Sequence, residues 1–164
     1  MNRLEIANGK VCLNDVEIDG KMEAKEFGDA FADLLKYGVQ RLRTNKDHCF
    51  AVIKEIDFLG FLCEGTFRFQ NEKLVSIFLE QQWTLYPREG PEFEENPYRY
   101  GDELITMIGN NHREHLEKNF GRAIKKDERT KIYKAGDIEI ESWLSNPDLS
   151  YCVTLTFEKN GGEI

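Results

Sequence analysis

No long hydrophobic run occurs in this sequence, and no stretch approaches the roughly 20 apolar residues that a membrane-spanning helix requires. The first fifteen residues lack the short apolar core of a secretory signal peptide. Cysteine is scarce and shows no C-x-x-C spacing, its four residues being Cys12, Cys49, Cys63 and Cys152. Without a secretory signal, buried free thiols are favoured over disulfides. We therefore expect a cytoplasmic protein.

The motifs that carry common enzyme chemistry are also missing. No serine lies in a G-x-S-x-G elbow, and no glycine-rich turn opens a predicted helix to hold a phosphate. Cys49 follows His48 directly, so on a strand their side chains point to opposite faces and cannot easily form a nucleophile–base pair. We therefore predict no catalytic residue and no cofactor, which favours a protein that is not an enzyme.

Positive charge is in short supply. The chain has 22 Lys and Arg against 30 Asp and Glu, which gives a formal net charge of −8. Such a charge repels nucleic-acid phosphates and anionic membrane surfaces, so neither is an expected partner. It suits solubility alone, or a basic protein partner. Basic residues cluster only between residues 122 and 134, as Arg122, Lys125, Lys126, Arg129, Lys131 and Lys134.

The sequence does contain two successive patterns of a helix followed by strands. Apolar residues at three- and four-residue steps predict helices over 23–37 and about 102–119. Alternating apolar residues predict strands after each helix, and Asn8-Gly9 predicts a hairpin near the start. We therefore predict a single α+β domain, 1–164. Two helix-plus-antiparallel-meander units, 1–83 and 102–158, are joined by a loop, 84–101, with the helices packed on one face of the sheet or sheets.

The connecting loop contains the main candidate for binding a partner. It combines prolines and aromatic residues with glutamates, and aromatic anchors among acids suit the recognition of a basic protein surface. The alternative is a strap that buries its aromatic residues between the two units. The candidate residues are Tyr86, Glu89, Glu92, Phe93, Glu94, Glu95, Tyr98 and Tyr100.

Two histidines on the second predicted helix are weak candidates for metal binding. His112 and His115 are three residues apart, so both could face one side of the helix. Zinc motifs on one helix more often use a spacing of four, and no third ligand follows at a known offset. A hydrogen-bonded, half-buried histidine at position 112 is the simpler interpretation, and we predict no metal site.

The order of the elements resembles the tandem arrangement of the β-lactamase-inhibitor-protein-like fold. The stretch from Phe58-Leu59-Gly60-Phe61 through Phe67-Arg68-Phe69 to Ile77-Phe78-Leu79 is similar to a hairpin found in small bacterial proteins. Small acidic proteins of this kind include immunity proteins, which neutralise toxin domains. The resemblance implies protein binding and transfers no functional residue to this chain.

Two functional hypotheses follow. The leading one is a protein-binding module of the immunity or inhibitor type, which presents an acidic and aromatic surface to a basic partner. The alternative is a small-molecule or metal-binding protein whose site lies between the two units, near His112 and His115, because clefts between units are common ligand sites.

Overall fold

The computed structural model describes residues 1–81, 109–110, 112–127, 130–145 and 150–157. A seven-residue helix, α1 (Ala24–Ala30), follows the third strand, and the described part of a second helix, α2, comprises residues 109–110 and 112–120. Eleven strands within the described residues form one sheet: β1 Asn2–Ala7, β2 Lys10–Leu13, β3 Val16–Ile18, β4 Gln40–Arg41, β5 His48–Phe58, β6 Phe61–Gln70, β7 Lys73–Gln81, β8 Lys125–Lys126, β9 Thr130–Ala135, β10 Ile138–Ser145 and β11 Ser150–Phe157.

The order of the strands shows that the predicted division into two units is wrong. The order is β3-β2-β1-β5-β6-β7-β11-β10-β9-β8, and β4 pairs with β5 outside this path. The antiparallel pairing of β7 with β11 joins the strands of both predicted units into one sheet. The sheet is mixed rather than a pair of antiparallel meanders, because β1 runs parallel to β5. Strand residues also far outnumber helical residues in the described part of the chain, so the predicted α+β class is wrong as well.

The first predicted helix, 23–37, is shorter than its apolar periodicity indicates, since α1 ends at Ala30. Beyond it, Leu35 forms a bridge with Ile53, and the Lys36 N–H donates to the Val52 carbonyl at 2.9 Å. The edge of β5 therefore satisfies backbone groups that a longer helix would pair internally. The first residues of the second predicted helix lie outside the described residues.

The predictions for the β1–β2 hairpin, for strand β6 and for the turn after it are confirmed. Asn8 and Gly9 have φ angles of 55° and 73°, the conformation that a two-residue hairpin turn requires, and β1 pairs with β2 around them. The β6–β7 turn has the same form at Asn71 and Glu72, with φ angles of 50° and 69°. Strand β6 alternates between buried and more exposed residues, as its sequence predicts.

The sheet is strongly curved. The β1–β2 turn touches the β9–β10 turn, although four strands lie between β1 and β10 in the sheet order. The approach is so close that a Cβ placed on Gly136 would lie 3.0 Å from the Cα of Gly9, so both positions favour glycine. This curvature gives the sheet a concave inner face.

The hydrophobic core fills the inner face. Phe27 of α1 is fully buried and contacts the rings of Phe31, Phe67 and Phe69, with centroids 4.8, 4.6 and 5.4 Å away. Both ends of the sheet contribute core residues, from Leu4 on β1 to Tyr133 on β9. Among the described residues, no helix is long and apolar enough to cross a membrane.

Candidate functional site

The eight residues predicted to contact a partner all belong to the loop 84–101 and lie outside the described residues. They are Tyr86, Glu89, Glu92, Phe93, Glu94, Glu95, Tyr98 and Tyr100. The protein-binding hypothesis therefore stays a prediction.

The two histidines proposed as metal candidates lie against one aromatic ring instead. The His112 ring stacks on Phe61 with centroids 4.3 Å apart, and the exposed His115 meets the edge of the same ring at 4.9 Å. Nε2 of His112 donates a hydrogen bond to Oε1 of Gln81. Within the part of the chain that the structure describes, no three His, Cys, Asp or Glu side chains come together as metal ligands do.

His112 is a neutral imidazole at physiological pH. Only 3% of the residue is exposed, and this burial, together with the nearby His115, lowers its pKa to about 4. Because Nε2 carries the hydrogen that Gln81 accepts, Nδ1 has a free lone pair and can only accept a hydrogen bond.

A cavity of about 70 Å³ lies beside His112, between α2 and the inner face of β9, β10 and β11. Six of the eight described lining residues carry polar side-chain groups, whereas most small-molecule pockets are lined mainly by apolar side chains. The lining residues are Gly109, His112 and Arg113 on α2, Lys131 and Tyr133 on β9, Ser142 and Leu144 on β10, and Tyr151 on β11.

Helical and strand periodicity together bring these side chains to one place. Positions 109, 112 and 113 are three and four residues apart, so they share one face of α2. Lys131 and Ser142 are directly opposite each other in the pairing of β9 with β10, so their side chains are neighbours on one face of the sheet. The inner face is thus apolar at its centre and polar beneath α2.

Gly109 makes room for Tyr151. A Cβ placed on Gly109 would overlap the Tyr151 hydroxyl oxygen and lie 2.9 Å from the ring carbon that bears it. The absence of a side chain at position 109 therefore lets the phenol lie against the helix backbone at the cavity wall.

The described part of the cavity wall carries positive charge. Arg113 and Lys131 both line it, and no described lining residue is Asp or Glu. Among the described residues, neither cation has a carboxylate oxygen within 4 Å. Burial, followed by the charge of Arg113, lowers the pKa of Lys131. An anion in the cavity would raise the pKa of Lys131 and so oppose the effects of burial and of Arg113.

Two buried polar atoms on this wall lack hydrogen-bond partners among the described residues. They are Nδ1 of His112 and the hydroxyl of Tyr133. Burial raises the pKa of both Tyr133 and Tyr151, which keeps the two phenols protonated and able to donate. An unpaired buried polar group costs about 1–3 kcal/mol, so most native structures contain few of them.

Sequence reasoning identified His112 and the basic cluster but missed the cavity that joins them. A signal was present in the strands. Ser142 interrupts the apolar alternation between Ile140 and Leu144, and it is buried although it is polar. Lys131 occupies the corresponding position before Tyr133. Polar residues are uncommon at inward-facing strand positions. Their presence here therefore indicates a polar region on the inner face of the sheet.

Comparison of the chain with protein-family models, with curated proteins and with solved structures gave no match.

Proposed function

We propose that the protein binds a small acidic molecule, an oxyanion, in the cavity beneath α2. The observation that supports this most directly is the composition of the wall, which brings Arg113 and Lys131 together with hydroxyl donors and no described carboxylate. Hydrogen bonds between charged donors and oxyanions are about twice as strong as neutral ones. The proposal is a specific form of the small-molecule hypothesis.

The size of the cavity limits the ligand. One water molecule needs about 10–15 Å³ of cavity volume. A cavity of about 70 Å³ therefore accommodates on the order of five non-hydrogen atoms. Acetate and inorganic phosphate fall within this range. A larger molecule would place only its acidic end in the cavity.

Ligand binding also offers a partner for a buried hydroxyl. Tyr133 has no hydrogen-bond partner among the described residues, and each such group costs about 1–3 kcal/mol. An oxyanion that accepts a hydrogen bond from this phenol would recover part of that cost.

Replacing Lys131 with glutamine tests the proposal. We expect isothermal titration of the unmodified protein to show 1:1 binding of at least one anion among acetate, sulfate and inorganic phosphate. We expect the Lys131→Gln variant to bind that anion about 10- to 100-fold more weakly, because a charged hydrogen bond contributes about 1.5–3 kcal/mol. Ionic strength is held constant with chloride.

Lys134→Gln is the matched control. Lys134 lies on the same strand but is exposed and pairs with Glu139, away from the cavity. Its loss changes the net charge equally and should leave the affinity within about twofold, since surface charges contribute little. Equal weakening by both variants, or no binding of any of the three anions, would contradict the proposal.

Gly109→Ala tests the shape of the site. The added methyl group would overlap the Tyr151 hydroxyl and displace this ring from the cavity wall. We expect a loss of anion affinity of about tenfold or more, without loss of helix stability, because alanine favours helices over glycine by about 1 kcal/mol. Asn110→Ala, at an exposed position of α2, is the control and should bind normally. Unchanged affinity of Gly109→Ala would exclude a ligand that depends on this wall.

A cytoplasmic location remains a prediction. The four cysteines are free thiols, three of them buried, which suits a reducing compartment.

A further inference from the structure

A pair of like charges lies at the edge of the proposed site. Lys126 on β8 is directly opposite Lys131 on β9, so the two side chains share a face of the sheet. Like charges directly opposite each other destabilise a strand pair. Arg113 lines the same cavity from the helix above, which brings three cations to one region of a chain whose net charge is −8.

Two described carboxylates near these cations, Glu117 and Asp127, do not form close ion pairs with them. Glu117, exposed on α2, is near enough to raise the pKa of Lys131. This effect is smaller than the opposing effects of burial and of Arg113, and larger than that of Lys126. Asp127, next to Lys126, accepts a hydrogen bond from the Thr130 N–H at 2.8 Å within the β8–β9 turn. Among the described residues, neither carboxylate comes within 4 Å of Arg113, Lys126 or Lys131.

We propose that the ligand is a phosphate-type dianion, held by Arg113 and Lys131 inside the cavity and by Lys126 at its edge. This inference rests on the proposed function. It goes further because it assigns a role to Lys126, which does not line the cavity, and because it fixes the charge of the ligand at two rather than one.

Charge and shape both favour a phosphate group over a carboxylate. Among the described residues, no carboxylate oxygen lies within 4 Å of these three cations, and a dianion neutralises more of their charge than a monoanion does. A phosphate group has five heavy atoms, which matches the cavity, and its tetrahedral oxygens accept hydrogen bonds from several directions. The donors surround it from α2 and from three strands, with hydroxyls on Tyr133, Ser142 and Tyr151 in addition to the cations.

Two phosphate esters that differ in charge, and by one ester methyl group, test this inference. Methyl phosphate is a dianion at pH 8, and dimethyl phosphate is a monoanion at any physiological pH. We expect methyl phosphate to bind at least tenfold more tightly than dimethyl phosphate or acetate in isothermal titrations at constant ionic strength. Lys126→Gln should weaken methyl phosphate binding about fivefold and change acetate binding less than twofold. Lys125→Gln, which removes a charge from the neighbouring position of β8, should change neither.

Ligand-free stability provides a second readout. Lys126→Gln removes the repulsion between β8 and β9, so we expect its melting temperature to rise slightly, whereas the loss of a structural contact would lower it.

The dianion could be free phosphate or the phosphoryl group of a larger molecule. Comparison of inorganic phosphate with methyl phosphate distinguishes these two sources. Preferential binding of inorganic phosphate indicates a free phosphate ligand, and equal or tighter binding of methyl phosphate indicates the phosphoryl group of a larger molecule.

The outcomes separate the two proposals. If acetate or dimethyl phosphate binds as tightly as methyl phosphate and depends on Lys131, the oxyanion site stands and the dianion inference is wrong. If Lys126→Gln and Lys125→Gln weaken methyl phosphate binding equally, the role of Lys126 is general electrostatic attraction, and the inference also fails. If no anion binds, both proposals fail.

Discussion

Phe27→Ala is expected to lower the free energy of unfolding by about 3–5 kcal/mol, the usual cost of deleting a buried aromatic ring. Phe27 is fully buried, and three other phenylalanine rings surround it within 5.4 Å. Phe27 and Ala24 are the two buried residues of α1, which is only seven residues long. A helix of this length is marginal without tertiary packing, so the cavity left by the ring should also loosen α1.

Urea unfolding followed by far-ultraviolet circular dichroism measures this loss. Tyr37→Ala is the control, because Tyr37 is 69% exposed and its replacement should change stability by less than about 0.5 kcal/mol. A loss below about 1 kcal/mol for Phe27→Ala would show that α1 contributes little to the core, and that the sheet is stable without it.

The second large effect is acid destabilisation through His112. The pKa of this imidazole is about 4 in the folded protein, against 6.5 for an unperturbed histidine. Below pH 6.5 the unfolded chain therefore binds a proton that the folded protein does not bind until about pH 4. Stability from this group is complete above pH 6.5 and falls as the pH is lowered toward 4, by about 3 kcal/mol in total.

Carboxylates also titrate in this range and change the stability of every variant. The prediction therefore compares the pH dependence of the unmodified protein with that of its histidine variants. Between pH 7.5 and pH 4.5, the unmodified protein should lose about 2–3 kcal/mol more stability than His112→Gln, whose amide can still donate to Gln81. The His115→Gln variant should retain the steep dependence, because the exposed His115 lowers the pKa of His112 less than burial does. Parallel pH profiles for the unmodified protein and His112→Gln would show that His112 is not buried as a neutral group.

The same titration connects to the proposed ligand. A bound anion beside His112 would favour the protonated imidazole, so saturating ligand should raise the pKa of His112 and reduce the acid sensitivity. Nuclear magnetic resonance of the His112 ring, with and without the anion, measures this directly.

The sequence by itself determined the local structure. Asn8-Gly9 specified a hairpin because few other residue pairs adopt positive φ at both positions, and the alternation in β6 specified a strand with one inward face. These features depend on residues that are neighbours along the chain, so the sequence was enough to predict them. The position of His112 on the apolar stripe of a helix was readable for the same reason.

Only the tertiary structure decided which strands are neighbours. Nothing in the residue pattern of β1 specifies a parallel partner in β5, or that β7 pairs with β11, because pairing across a long connection depends on how the whole sheet closes. The apolar face of the predicted helix 23–37 suited a helix throughout, but its last residues pair instead with β5, between the parts of β5 that pair with β4 and with β1. There, the hydrogen bond between Lys36 and Val52 replaced the helical pairing that local propensity favours.

The composition of the candidate site was also determined by the tertiary structure. The basic residues between 122 and 134 were visible as a cluster, yet their sequence could not separate Lys131, at the cavity, from Lys134, which lies on the other face of the same strand. Arg113, Ser142 and Tyr151 are far apart along the chain, and only the packing of α2 over β9, β10 and β11 brings them together. Residue types and strand periodicity thus fix which side chains can face inward, and the closure of the curved sheet fixes which of them meet.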